Sequence, residues 1–331
     1  MKFRTEIDIP PFPNLIEHNH KILALGSCFT ISIGEYFEKY KFNILKNPFG
    51  VLYNPASIYN AISIAASNKQ FTEQDLVYAQ GEYHSFYHHT DFSHHELEQC
   101  LHNINTANTL THKFLQNTDW IFLSLGTSYV FRLTDKDVIV SNCHKIPADR
   151  FVRSKLSYEQ VKHNMQKLNS VLKNVNKNIK IVYTVSPIRH WKDGAVQNQL
   201  SKSTLLLAID NIIKTNSNTY YFPSYELLMD DLRDYRFYKE DLLHPNDIAI
   251  NYIWEKLKSS LLSDKCNAAI DEITKVINAA SHRVRNPLSE QNQSFAANSL
   301  KIINELTDEY PYINFEEERE YFKNYTDKGM K

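Results

Sequence analysis

Residues 21–29 read KILALGSCF: an apolar run stops at Gly26, gives way to Ser27-Cys28, and leads into a helix-like segment over 31–40. This is the signature of a short strand entering a helix through a tight turn. Gly26 has no Cβ, so the chain can pass close to a neighbour there. Three further runs end in the same way. Residues 119–126 (DWIFLSLG) precede Thr127-Ser128, Lys180–Val185 (KIVYTV) precede Ser186-Pro187, and 220–223 (YYFP) precede Ser224. Runs this short and this apolar suit strands covered on both faces, as in a parallel sheet, although periodicity alone also allows a buried helix. The intervening segments are helical. In 157–175, Val161, Met165, Leu168, Leu172 and Val175 fall on one face, and Ser157 with Gln160 forms a capping box. Segments 96–115, 201–213 and 247–262 also read as helices. The alternation predicts an α/β fold with right-handed crossovers.

The chain has 331 residues, room for two domains at ~150 residues each. With 42% hydrophobic and 23% charged residues it is neither disordered, collagen-like nor a coiled coil. Lys plus Arg total 37 and Asp plus Glu 38, a net charge of −1 that offers no field for nucleic acid or an anionic membrane. Seven glycines are few for a Gly-rich phosphate loop. The N-terminal MKFRTEIDIPPFP is broken by charges and prolines, unlike a signal peptide, and no run reaches the ~18 apolar residues of a membrane span. Cys28, Cys100, Cys143 and Cys266 lie far apart with no CxxC, so a reduced, cytoplasmic chain is expected. Residues 271–325 have amphipathic helical character, with Pro287 and Pro311 as breaks. The expected organisation is an α/β body over 1–265 and a helical extension over 266–331 that packs on the body or on a partner.

Ligands of open α/β sheets bind beyond the carboxyl ends of the strands. Ser27 falls at such an end. Its hydroxyl would be exposed there, and the N–H groups of the following helix could stabilise an oxyanion. A lone Ser at a helix start equally well serves as a cap. The stretch Asp241-Leu242-Leu243-His244-Pro245-Asn246 supplies a second element. An Asp three residues before a His can reach the imidazole Nδ1–H from within one turn, and His is the usual base for a Ser nucleophile. Pro245 suits a first helical turn. The bland alternative makes Asp241 a surface charge and His244 a helix cap.

Gly26-Ser27-Cys28-Phe29 near the start, with Asp241 and His244 in a DxxHPN sequence near the end of the body, resembles the SGNH (GDSL-like) hydrolase pattern and, more closely, the GSCFA family. Asn47-Pro48-Phe49-Gly50, Asn54-Pro55, Leu125-Gly126-Thr127, Asn142-Cys143-His144-Lys145, 185–191 (VSPIRHW) and 232–238 (LRDYRFY) fit the same family, while Thr30 replaces the final Ala of its motif. The resemblance implies a three-layer α/β/α sandwich around a mostly parallel sheet of about five strands. It implies Ser27 as nucleophile, His244 as general base and Asp241 as the residue orienting it. Oxyanion donors would be the Ser27 N–H and Gly50. The third block, Gly126-Thr127-Ser128, lacks the Asn of Gly-x-Asn-Asp, leaving Thr127, Asn142 or His144 as replacements. The implied activity is hydrolysis of a small O-acyl ester such as an O-acetyl group, on a glycan or related metabolite, without cofactor or metal.

Other residues invite competing readings. His84, His88, His89, His94 and His95 crowd GEYHSFYHHTDFSHH, but their spacing matches no metal motif, and HExxH lacks its Glu. His84-Ser85 is read as pocket lining instead. Arg189-His190-Trp191 could clamp an anionic or sugar ligand, or could simply pack a loop. Cys28 and Cys143 raise a cysteine-nucleophile reading, against the more common role of Cys as a small buried hydrophobe. Two alternatives to an esterase stand: a non-catalytic ligand- or glycan-binding protein, motivated by the missing Asn, and a metal-dependent hydrolase using the histidines. Oligomeric state is not legible.

Overall fold

The computed structural model describes residues 4–281 and 289–326. β1 (Lys21–Gly26) enters α1 (Cys28–Lys39), and β2 (Asn43–Lys46) is followed by α2 (Pro55–Ala66). A hairpin of β3 (Val77–Ala79) and β4 (Glu82–His84) precedes α3 (Leu97–Leu115). β5 (Trp120–Leu125) opens into a small antiparallel sheet of β6 (Tyr129–Leu133), β7 (Ile139–Val140) and β8 (Phe151–Lys155). Then come α4 (Tyr158–Val175), β9 (Lys180–Val185), α5 (Gly194–Thr215), β10 (Thr219–Tyr221) and the single turn α6 (Ser224–Glu226). α7 (Asp247–Leu261) closes the body, and α8 (Asp264–Ser281), α9 (Glu290–Glu309) and α10 (Glu316–Thr326) follow.

The main sheet has the order β10-β9-β5-β1-β2, with every pairing parallel. Alternation along the strands creates the layers. Ile22, Ala24, Trp120 and Phe122 face a core shared with Phe37 of α1 and Trp254 of α7. Leu23, Leu25, Ile121 and Leu123 face the opposite core, shared with Ile62 of α2, Met165 of α4 and Leu205 of α5. The result is the three-layer α/β/α sandwich with a five-stranded parallel sheet that the sequence leads one to expect. Gly26 pairs with Ser124, and Leu125 with Val185. The loops leaving β1, β5 and β9 therefore emerge side by side.

The capping box of α4 is present: Gln160 N–H donates to Ser157 Oγ (3.3 Å), and Ser157 N–H to Gln160 Oε1 (2.8 Å). α5 begins at Gly194, ahead of the expected 201, because Asp193-Gly194 provides a turn that the apolar pattern does not mark. Pro245 lies before α7 rather than in its first turn, and Asn246 is the cap, accepting from Ala249 N–H at 3.1 Å. The C-terminal helices pack on the body. Cys266, Ile270 and Ile273 of α8, Ile303 of α9 and Phe322 of α10 enter the core that holds Phe37 and Trp254. Pro311 follows the end of α9, whereas Pro287 lies outside the described residues. Among the described residues, no helix is long and apolar enough to cross a membrane.

Candidate active site

Gly26 makes the turn after β1 possible. Its φ is +143°, and a Cβ there would lie 2.2 Å from the Ser124 carbonyl oxygen. Its N–H donates to Asn47 Oδ1 at 2.9 Å, which ties the first turn to the second. Ser27 occupies the N-cap position of α1, but its hydroxyl does not cap the helix. Ser27 Oγ lies 3.0 Å from Ser124 Oγ, Ser27 N–H donates to Ser124 O (3.1 Å), and the residue is only 2% exposed. Among the described residues, no hydrogen bond joins Ser27 to His244. The next residue faces elsewhere: Cys28, half-buried, sets its sulfur 3.6 Å from the Tyr53 hydroxyl. Burial and the neighbouring thiol raise the Tyr53 phenol above its ordinary range.

Asp241 and His244 form the expected pair. Asp241 Oδ2 meets His244 Nδ1 at 2.5 Å, and Oδ1 accepts the N–H groups of Leu243 and His244, each at 2.9 Å. Those hydrogen bonds and the imidazole pull the carboxyl pKa down to about 2. The tight turn requires a positive φ of 57° at Leu242. Both side chains remain accessible, 42% for His244 and 46% for Asp241. His244 is therefore no helix cap, and Asp241 is no free surface charge.

His190 lies in the loop that follows β9. Its ring packs edge-on against Tyr53 (5.3 Å, 88°). A Cβ on Gly126 would meet His190 Nε2 at 3.1 Å. Burial first, then Lys202, with further contributions from Arg153 and His244, push its pKa down to about 4 against the pull of Asp193. The loop carrying His190 is anchored from below. Lys202 of α5, fully buried, donates to the carbonyls of Ser186 (2.6 Å) and Ile188 (2.9 Å). Burial, and secondarily Arg189, lower the Lys202 amine to about 7.

A cavity of about 590 Å³ opens beside Tyr53, Thr127 and His190. Its far wall is the small sheet, with Tyr129, Phe131 and Arg153. The Arg153 guanidinium lies 4.2 Å from the Tyr129 ring centre and is paired with Asp193, while Lys192 Nζ sits 5.3 Å from the Phe131 centroid. Aromatic faces bordered by cations suit polar rings and anionic groups.

Several expected contributors are occupied elsewhere. Gly50 N–H donates to Asn47 O at 2.7 Å inside its own turn, so it offers no free oxyanion donor. Thr127 lines the cavity, but its hydroxyl is engaged with Ser201 Oγ (3.0 Å) and Tyr129 N–H (3.1 Å). Asn142 also lines the cavity, with its amide donating to Thr90 Oγ1 and its oxygen accepting from His144 N–H. His84 and His144 are buried and stacked on each other at 4.6 Å. His84 spends its nitrogens on Ser93 Oγ and Ala79 O, and His144 spends Nε2 on Ser85 O. These two histidines pack the interior and do not line the cavity. Arg189 faces a separate cleft of about 230 Å³, beside Trp191, Tyr238 and Leu243, and points a guanidinium N–H at Met229 Sδ (3.2 Å). Arg189 and His190 therefore do not form one clamp. In the His-rich segment, His94, His95 and Glu96 gather possible ligand atoms within 4.8 Å of one another, away from these cavities.

Tyr53, Ser124, Arg153 and Lys202 were not read from the sequence. The aromatic and β-branched residues Tyr129-Val130-Phe131 and Phe151-Val152 carry a strand signal that runs into Arg153. Nothing local marks Lys202, one charged residue on an amphipathic helix.

A five-stranded parallel sheet covered by helices on both faces, with the Gly26-Ser27 turn at the carboxyl end of β1, defines a three-layer α/β/α protein. The model of the GSCFA family matches residues 21–257, and that of the GSCFA domain protein, C-terminal domain, matches 273–327. The chain belongs to the GSCFA family. No curated protein matches it. Among solved structures, a carbohydrate esterase family 3 from Talaromyces cellulolyticus is 8% identical over 77% of this chain and 99% of its own, with a TM-score of 0.35. A Clostridium thermocellum family 3 carbohydrate esterase is 9% identical over 78% and 99%, with a TM-score of 0.36. An acetyl esterase mutant with acetate ion is 11% identical over 78% and 99%, with a TM-score of 0.32. The family match, not these distant likenesses, places the chain.

Proposed function

We propose that this protein hydrolyses a small O-acyl ester carried by a glycan or another polar ring compound. The observation that supports this reading most directly is the Asp241–His244 pair, accessible and correctly polarised, on the same molecule as a Gly26-Ser27-Cys28 turn at the head of a helix. In this reading the turn supplies the nucleophile. His244 takes its proton and returns it to the leaving alcohol, and Asp241 fixes the tautomer and stabilises the imidazolium. The backbone N–H groups opening α1 stabilise the oxyanion. The cavity walled by Tyr129, Phe131 and Arg153 holds the polar ring that carries the ester.

A panel of p-nitrophenyl esters and O-acetylated sugars tests the proposal. Expected are turnover by the wild type and a loss of ~10²–10⁴ in kcat/KM for His244→Ala. The occupied Gly50 and Thr127 donors favour a second reading, a binding protein that keeps the cavity without turnover. Sugar binding that survives His244→Ala, with no ester cleaved by the wild type, would decide for that reading.

A further inference from the structure

We infer that the cleft of about 230 Å³ at Arg189 binds an acidic sugar through its carboxylate or phosphate; that this sugar neighbours the ester-bearing unit in one substrate rests on the hydrolase reading above. The chain runs extended through His190 (φ −97°, ψ 92°), and its neighbours alternate between two hollows. Arg189 and Trp191 line the cleft, whereas His190 and Lys192 line the large cavity, so the two spaces share this stretch as a wall. The cleft is also lined by Leu242 and Leu243, the two residues between Asp241 and His244. A ligand seated there touches the turn that carries the imidazole.

Arg189 is half-buried, and among the described residues no carboxylate lies within ion-pair distance of it. Its one hydrogen bond among them runs to Met229 Sδ at 3.2 Å, a weak acceptor for a group with five N–H donors. The carboxylates of the flanking segment are already matched: Asp230 with Arg233 (3.3 Å), Asp231 with the Tyr252 hydroxyl (2.8 Å) and Asp234 with Arg236 (3.1 Å). The ionisable groups that feel the Arg189 charge are Lys202, Tyr225 and Tyr238, none of them negative at neutral pH. A guanidinium drawn partly out of water without a counter-charge is costly. Its planar fork matches a carboxylate or phosphate in two parallel hydrogen bonds.

The second observation is apolar. Trp191, Tyr235 and Leu242 are all exposed, and all three line this cleft. Single exposed apolar side chains are ordinary, but three of them beside one unpaired cation make a recognition surface, with faces for a ring and a fixed charge for its anion. Tyr238, with its ring 6.1 Å from that of Tyr235, extends the aromatic wall. The volume lies just under the ~300 Å³ at which ligand pockets begin, which suits one ring rather than a long chain. A sugar with an acidic group meets both demands: its C–H face lies on the indole or phenol, and its anion on the guanidinium.

Trp191 makes the test direct, because the other two tryptophans, Trp120 and Trp254, are fully buried. The full chain is titrated with glucuronic acid, glucose 6-phosphate and glucose, following tryptophan emission and heat. Expected is saturable binding of at least one acid, at least ~10-fold tighter than glucose, with a preference that shrinks as salt is raised. The tighter of the two acids tells carboxylate from phosphate. Arg189→Gln should cut the acid's affinity by at least ~10-fold and so abolish the preference, and Trp191→Phe should remove the emission change while the heat persists. Acids no tighter than glucose in the wild type, or acid affinity unmoved in a folded Arg189→Gln, would overturn the inference. Should Arg189→Gln not fold, the wild-type preference and its loss in salt decide alone. Turnover of p-nitrophenyl acetate, which carries no anion, is followed in parallel. No turnover together with Arg189-dependent binding of the acid would sink the hydrolase reading and keep the site, and turnover without any acid preference would do the reverse.

Discussion

Asp241 grips His244 twice: one carboxylate oxygen takes the imidazole Nδ1–H at 2.5 Å, and the other takes the backbone N–H of the same residue at 2.9 Å. Ring and backbone are thus oriented by one side chain, within a turn of four residues. Nε2 is left pointing away from the pair, with no partner among the described residues.

Asp241→Asn keeps an acceptor for the two backbone N–H groups and removes the charge. We expect kcat to fall by ~10²–10⁴ with little change in melting temperature, because the pair is exposed. The wild-type carboxyl titrates at about 2, below its ordinary 3.8. Its contribution to stability is therefore complete above pH 4 and fades as pH drops toward 2.

Lys202 predicts a second rise of stability with pH, in a higher window. Burial depresses its amine from 10.5 to about 7, so above neutrality the unfolded chain holds a proton that the folded chain has released. Stability should rise with pH between 7 and 10.5. Chemical denaturation at pH 7 and pH 9.5 should show this gain in the wild type and not in Lys202→Met. Equal pH slopes in the two proteins would refute the assignment.

Gly126→Ala places a methyl 3.1 Å from His190 Nε2 and 3.3 Å from the Tyr53 ring. Overpacking of this kind costs ~1–3 kcal/mol. Because His190 and Tyr53 line the cavity proposed to hold the substrate, kcat/KM should fall by at least ~10-fold, more than the stability loss would account for. Activity unchanged at saturating substrate and in kcat/KM would show that His190 is a bystander.

Trp254→Ala should cost ~3–5 kcal/mol, measured by denaturant titration, because the indole is fully buried against Phe37 (5.0 Å, 87°) and Tyr36 (5.2 Å, 25°). A loss under 1 kcal/mol would mean that this core repacks far more freely than its density suggests.

The strands were legible where burial on both faces left an unbroken apolar run, as in β1, β5 and β9, and the sheet's carboxyl edge followed from their endings. The Asp241–His244 pair was legible because its geometry lies within four residues. The burial of Ser27 against Ser124 was not, because that partner comes from another strand nearly a hundred positions away. The small sheet escaped notice because β6 and β8 carry charges on their open faces and β7 is only two residues long. In the histidine-rich segment His89 lines the cavity, whereas His84, expected there too, is buried against His144 and Ala79 O, because local spacing does not register such long-range stacking.

α8, α9 and α10 insert Ile273, Ile303 and Phe322 into the same core that receives Phe37 from the helix headed by Cys28. A clone ending at the last residue of the body would bare that oily seam and loosen the scaffold under the Gly26-Ser27 turn. The carboxyl-terminal helices are therefore a foundation for α1 at its far end, and inactivity in a shortened protein would report a loosened scaffold rather than the loss of a reacting group.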